Sequence, residues 1–174
     1  MVAAAGNASR NIQKFNNPPL DADYEDINDI YMFPASYPEI IAVSATGLKT
    51  VGKKVTDFFA TFSNYGPAVE LSTPGDSIYT TYKNGGYTTG GGTSYSAPHV
   101  VGVAALLLAK GVPANEVRAR LQATAEDLGI SGWDQYYGYG LVDAGYAIVG
   151  QRAPARPDIA KGKLSVTWGE LKRD

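Results

Sequence analysis

Gly90-Gly91-Gly92-Thr93-Ser94-Tyr95-Ser96-Ala97-Pro98-His99-Val100-Val101-Gly102-Val103-Ala104-Ala105-Leu106-Leu107-Leu108-Ala109-Lys110 is the stretch around which the chain is organised. Three glycines run into a Thr-Ser pair, and an apolar stretch long enough for a buried helix follows. A glycine run lets backbone approach a ligand closely. A serine at a helix start holds its hydroxyl beside N–H groups that have no intrahelical acceptor. That placement suits a nucleophile whose attack creates an oxyanion next to those donors. It equally suits a serine that only caps a core helix. Local chemistry leaves both readings open.

The rest of the composition narrows the class. The chain has 174 residues, 18% charged and 44% hydrophobic, which is enough apolar material for one core and too little charge for a disordered chain. Net charge is −2 with no basic block, so nucleic acid is not an expected partner. No apolar run approaches the roughly 18 residues of a membrane span, and no membrane partner is expected. The absence of cysteine removes disulfides, thiolate metal sites and a cysteine nucleophile. The opening Met1-Val2-Ala3-Ala4-Ala5-Gly6-Asn7 reads as a buried strand entering a turn, without the charged start of a signal peptide. A chain that opens in mid-strand carries the expectation of further chain upstream.

Local patterns supply the other elements. Val2–Ala5 and Glu39–Ala45 read as strands of a parallel sheet, with loops at their carboxyl ends where sites form in α/β folds. Ala68–Ser72 is a third short strand, stopped by Pro74-Gly75. Ser77–Tyr82 and Tyr87–Thr89 flank Asn84-Gly85, a hairpin signal whose second arm leads to the glycine run. Pro113 opens a helix over Ala114–Glu126, with Val117, Leu121 and Leu128 inward and Arg118 and Arg120 turned away. Leu141–Val149 is a last short helix. Between Asp21 and Asp29 five acids fall in nine residues, which lack the glycine and glutamate positions of an EF-hand and read as a solvated loop. Residues 151–174 change composition and read as a linker or tail after a first unit spanning 1–150.

Several motifs in one order carry a family resemblance. Gly92-Thr93-Ser94-Tyr95-Ser96-Ala97-Pro98-His99-Val100-Val101-Gly102 resembles the nucleophile signature of subtilisin-like serine peptidases. Ala4-Ala5-Gly6-Asn7 resembles their oxyanion-hole motif, and Phe33–Val43 the segment after it. Phe62-Ser63-Asn64-Tyr65-Gly66, Ser72-Thr73-Pro74-Gly75 and Gly138–Ala144 are similar to further landmarks. The resemblance implies a subtilisin-like α/β fold, a parallel sheet flanked by helices and here incomplete, and hydrolysis of polypeptide substrates through a Ser-His-Asp triad. It implies Ser94 as nucleophile, Asn7 as oxyanion donor, and Ala4, Ala5 and Gly6 as a wall of the substrate pocket. It implies no required cofactor, a structural calcium held weakly by the carbonyls of Ala35, Tyr37 and Ile40 near Glu70, and a secreted or extracytoplasmic location.

Two departures follow from the same comparison. The family's Asp and His precede the oxyanion asparagine in chain order, so the resemblance places both in a missing N-terminal half and implies a chain inactive alone. The single histidine, His99, lies five residues beyond Ser94 on the same helix and is expected as a packed structural residue. Tyr95 stands where many members carry methionine. A non-catalytic peptide-binding or structural module derived from such a peptidase is the alternative, although binding alone requires neither Ser94 nor Asn7.

Overall fold

The computed structural model describes residues 1–14, 29–52 and 54–150. The acidic stretch Asp21–Asp26 and the tail from 151 lie outside the described residues. The elements run β1 (Val2–Ala4), β2 (Asn11–Ile12), β3 (Asp29–Ile30), β4 (Ile41–Val51), β5 (Lys54–Phe59), β6 (Val69–Pro74), β7 (Ile78–Thr81) and β8 (Tyr87–Gly90), then α1 (Thr93–Ala109), α2 (Ala114–Thr124) and α3 (Ala144–Val149).

Strand β4 is the axis. Ile41 through Gly47 are buried without interruption, as a strand covered on both faces requires. Its first half lies between β1 and β6, both parallel to it, with Ala42 opposite Ala3 on one side and Val69 on the other. Its second half pairs antiparallel with β5. Thr46 faces Phe59 of β5 and Pro74 of β6, so β5 follows β1 along one side of β4. The sheet is therefore mixed where a parallel one was expected. The tight turn after Val51 folds the chain straight back, which permits only an antiparallel neighbour.

The two sides of the sheet end differently. The outer edge of β6 is closed by the segment 138–142: Tyr139 N–H donates to Glu70 O, Ser72 N–H to Gly140 O, and Val142 N–H to Ser72 O. Among the described residues nothing pairs with the outer edge of β1.

Helix α1 lies across β4, β1 and β6. Val100, Val103 and Leu107 pack with Ile41, Val43 and Leu71, and Val117 and Leu121 of α2 and Ala147 of α3 complete this core. The expectation of a buried helix is met on one side only. Val101, Leu106 and Leu108 are about half exposed, at 51%, 51% and 50%. His99 is exposed as well, where a packed histidine was expected. An open hollow of about 520 Å³ runs along Pro98, His99, Gly102, Val103 and Leu106. The opposite sheet face is covered by Ala35, Ile40 and Met32 over Ala3 and Ala42, and by Ile12 and Ala68 over Ala5 and Val69.

Two further expectations change. Leu128 falls beyond the end of α2 and is only half-buried. Arg118 is not turned away: its Nε and Nη2 both donate to the buried Glu70 carboxylate. Arg120 Nε donates to Ala147 O at 3.2 Å. The hairpin forms as expected, with Asn84 at φ 59 in its turn and Tyr79 stacked on Tyr87. Helix α3 starts later than expected, at Ala144, because Asp143 caps it by accepting from Tyr146 N–H.

Gly75 fixes how closely α1 approaches the sheet. A β-carbon there would lie 2.1 Å from Ser96 Oγ, 2.7 Å from Ala45 Cβ and 3.0 Å from Gly92 O. Gly102, on the open side of α1, has nothing within 4 Å of the same position. Gly75→Ala should therefore destabilise the chain by about 1–3 kcal/mol through overpacking. Gly102→Ala should stabilise it by about 0.5–1 kcal/mol, the ordinary helix preference. Thermal melts of the two variants beside the parent measure both, and a shift of the same sign in each would contradict the packing described.

Candidate active site

The site forms where three elements meet at the carboxyl end of the parallel strands. Strand β1 delivers Gly6 and Asn7, β6 delivers Pro74 and Gly75, and α1 begins there with Thr93 and Ser94. Gly92 N–H donates to Gly75 O at 2.7 Å. Thr73 Oγ1 donates to Ser96 O at 2.8 Å, and Ser96 Oγ donates back to Thr73 O at 3.1 Å. These bonds seat the first turn of α1 on the end of β6.

Thr93, fully buried, joins that turn to β1. Its N–H donates to Asn7 Oδ1 at 2.8 Å and its hydroxyl donates to the same oxygen at 2.9 Å. The hydroxyl oxygen also accepts from Gly6 N–H at 3.0 Å. With two donors on its oxygen, the Asn7 amide has one orientation. The NH₂ end carries no bond to another described residue, and Nδ2 lies 3.3 Å from where a β-carbon on Gly92 would sit. Asn7 thus presents a free neutral donor beside Gly92, which is two residues before Ser94 in the chain.

Ser94 is exposed at the second position of α1. A backbone N–H in the first turn has no intrahelical acceptor, and the helix dipole places partial positive charge there. The start of α1 thus brings a helix N-terminus, an exposed hydroxyl at Ser94 and, through Thr93, the Asn7 amide into one neighbourhood. Among the described residues the Ser94 hydroxyl has no hydrogen-bond partner. His99 Nδ1 instead bonds Tyr95 O at 2.8 Å, within its own helix.

The residues expected to wall a substrate pocket differ in burial. Ala4 and Gly6 are half-buried. Ala5 is fully buried, with its side chain in the core and its carbonyl accepting from Asn64 Nδ2 at 2.8 Å. Two contributors were not identified from sequence. Asn64, buried, accepts with Oδ1 from Ala8 N–H at 3.0 Å and Arg10 N–H at 2.9 Å, and so holds the turn that carries Asn7. Met32 brings its Cε to 3.0 Å from the β-carbon position of Gly6, and so flanks that wall. Both contacts join segments far apart in sequence. Tyr95 packs against Gly90 at the end of β8, with its ring oxygen 2.3 Å from where a β-carbon would sit.

The cation position implied for Ala35, Tyr37 and Ile40 lies in the turn before β4. Ala35 and Ile40 are buried among Ala3 and Ala42, and Tyr37 O accepts from Ile40 N–H. The nearby Glu70 carboxylate accepts from Arg118 and from Gln122 Nε2 at 2.8 Å. Its negative charge is already matched by Arg118.

Comparison with known proteins finds relatives of this chain. The sequence model described as the subtilase family matches residues 1–140. Thermitase of Thermoactinomyces vulgaris is 36% identical over 148 residues, which cover 85% of this chain and 43% of that one. The minor extracellular protease Epr of Bacillus subtilis is 33% identical over 175 residues, covering 95% of this chain and 23% of that one. A lanthipeptide protease crystal structure superposes with a TM-score of 0.67 at 26% identity, over 86% of this chain and half of the other. The chain thus spans less than half the length of these two curated relatives.

Thr93→Val keeps the shape of the side chain but removes its hydroxyl, leaving the Gly6 N–H without its acceptor. The expected cost is about 1–3 kcal/mol. Thr93→Ser should recover most of it in equilibrium unfolding. Equal losses in both variants would assign the effect to packing and not to the hydroxyl.

Proposed function

The chain belongs to the subtilase family, and on that premise we propose that it supplies the nucleophile and oxyanion donors of a serine endopeptidase whose acid–base pair comes from a separate segment. The observation that carries the reading is the saturation of Asn7 Oδ1 by Thr93, which leaves the amide NH₂ aimed outward as a donor. A module that only binds peptide has no need of that orientation.

In this reading Ser94 Oγ attacks the carbonyl carbon of a polypeptide substrate. Negative charge gathers on the carbonyl oxygen and is met by the Ser94 N–H and the Asn7 amide. The serine proton leaves to a histidine held by an aspartate, and that histidine returns a proton to the departing amine. The acyl-enzyme then yields to water. Nothing among the described residues performs the proton steps: His99 is the chain's single histidine and is tied to Tyr95 O. A serine hydroxyl without a base is a weak nucleophile, so the chain alone is inactive.

The open side of α1 is the surface on which the complementary segment settles. Val101, Leu106 and Leu108 stand half exposed there, beside the hollow lined by Pro98 and Gly102. Covering each gains roughly 1 kcal/mol of apolar burial. The protein works outside the cytoplasm, a reading supported by the extracellular relative.

A fluorophosphonate probe tests the reading. The 174-residue chain alone should label no faster than its Ser94→Ala variant. Labelling and peptide cleavage should appear when a segment bearing the family's Asp and His is supplied or fused ahead of Met1. In that assembly Asn7→Leu should lower kcat by about 10²–10³ with KM little changed, the loss caused by removing one such donor in a subtilisin. Rapid labelling of Ser94 in the chain alone, or none in a folded assembly, would overturn it.

A further inference from the structure

We propose that Arg118 is the resident cation of the Glu70 site, holding the turn before β4 to the sheet in the place where the family resemblance implies a metal ion. Glu70 is 4% exposed and lies on β6. A carboxylate buried to that degree requires a compensating charge and a full set of donors. Arg118 supplies the charge from α2, forking onto both oxygens through Nε and Nη2. Gln122, one helical turn on, adds Nε2 to Oε1 at 2.8 Å.

The same guanidinium reaches further. Arg118 Nη2 also donates to Pro38 O at 2.9 Å. Pro38 lies between Tyr37 and Ile40, inside the group of carbonyls expected to ligate calcium. One planar cation thus spans the two partners that a metal would join: a buried carboxylate on β6 and a backbone carbonyl of the turn. Glu39 adds to the negative field around it. The guanidinium side chain is 37% exposed, so it is open to solvent while its partner is not. Arginine keeps its charge at all working pH values and forms forked bonds to carboxylates. A guanidinium carried by the chain cannot be lost to a chelator, so this turn stays in place without metal. The turn follows Met32, which flanks Gly6, so the latch also fixes one flank of the substrate wall. The inference concerns charge at Glu70 and stands whether or not Ser94 acts as a nucleophile.

Metal dependence of unfolding tests this on the full 174-residue chain. The parent should melt at the same temperature in excess EDTA and in excess calcium chloride, and should give no tyrosine- or tryptophan-sensitised terbium emission that Glu70→Gln removes. Arg118→Gln should melt lower in EDTA, recover part of that loss in calcium, and gain terbium emission that the additional change Glu70→Gln abolishes. Arg118→Lys should retain the parent's indifference to calcium. Calcium stabilisation of the parent that vanishes in Glu70→Gln would overturn the proposal. So would a folded Arg118→Gln chain that stays indifferent to calcium. If Arg118→Gln does not fold, the parent and Glu70→Gln measurements decide alone.

Discussion

Thr93 and Asn7 are separated by 86 residues, and the bonds between them govern the site. Two donors from one residue converge on one amide oxygen, and the Gly6 N–H returns a third bond to the same hydroxyl. This closes a small ring between the end of β1 and the first turn of α1. It sets the orientation of the Asn7 amide and the position of Ser94 in one stroke. Each bond is modest taken singly, on the order of 1 kcal/mol. Breaking the set costs more, because Thr93 is fully buried and water cannot replace what is lost. The close contacts at Gly75 and the Thr73–Ser96 pair keep the helix near enough for the ring to form.

Much of this was legible in the chain itself. The β-branched run at the head of β4 gave its strand, Asn84-Gly85 gave the hairpin, and the glycine run announced an unusual helix start. Ordered motifs placed Asn7 beside Ser94. What stayed hidden depended on pairings across sequence distance. Arg118 looked like a solvent-facing charge because helical periodicity describes one helix and not its neighbours, and Glu70 lies 48 positions away. Strand β5 lacks a clean alternation, so the antiparallel addition to the sheet left little trace. Asn64 was visible as a landmark, but its three bonds to the turn around Asn7 belong to tertiary structure.

Helix α1 illustrates a different limit. Its composition reads as a helix buried all round, and the apolar residues are indeed there. The packed surroundings are present on only one side, so Val101, Leu106 and Leu108 meet solvent. A hydropathy pattern reports the environment a helix is suited to, which is broader than the environment found in this chain. The same reasoning applies to His99, which lies on that open side and is exposed with it.

The sheet has one finished margin and one unfinished margin. The segment 138–142 closes the outer edge of β6, while β1 has no partner on its outer edge among the described residues. Lateral growth of the sheet is thereby given a direction. Of the stretches left unpaired on that side among the described residues, the one along Val2–Ala4 runs directly into Gly6 and Asn7. In the assembly proposed above, completion of the sheet and of the catalytic cleft would be a single event at one address. An assembly of that kind couples chemical competence to structural integrity.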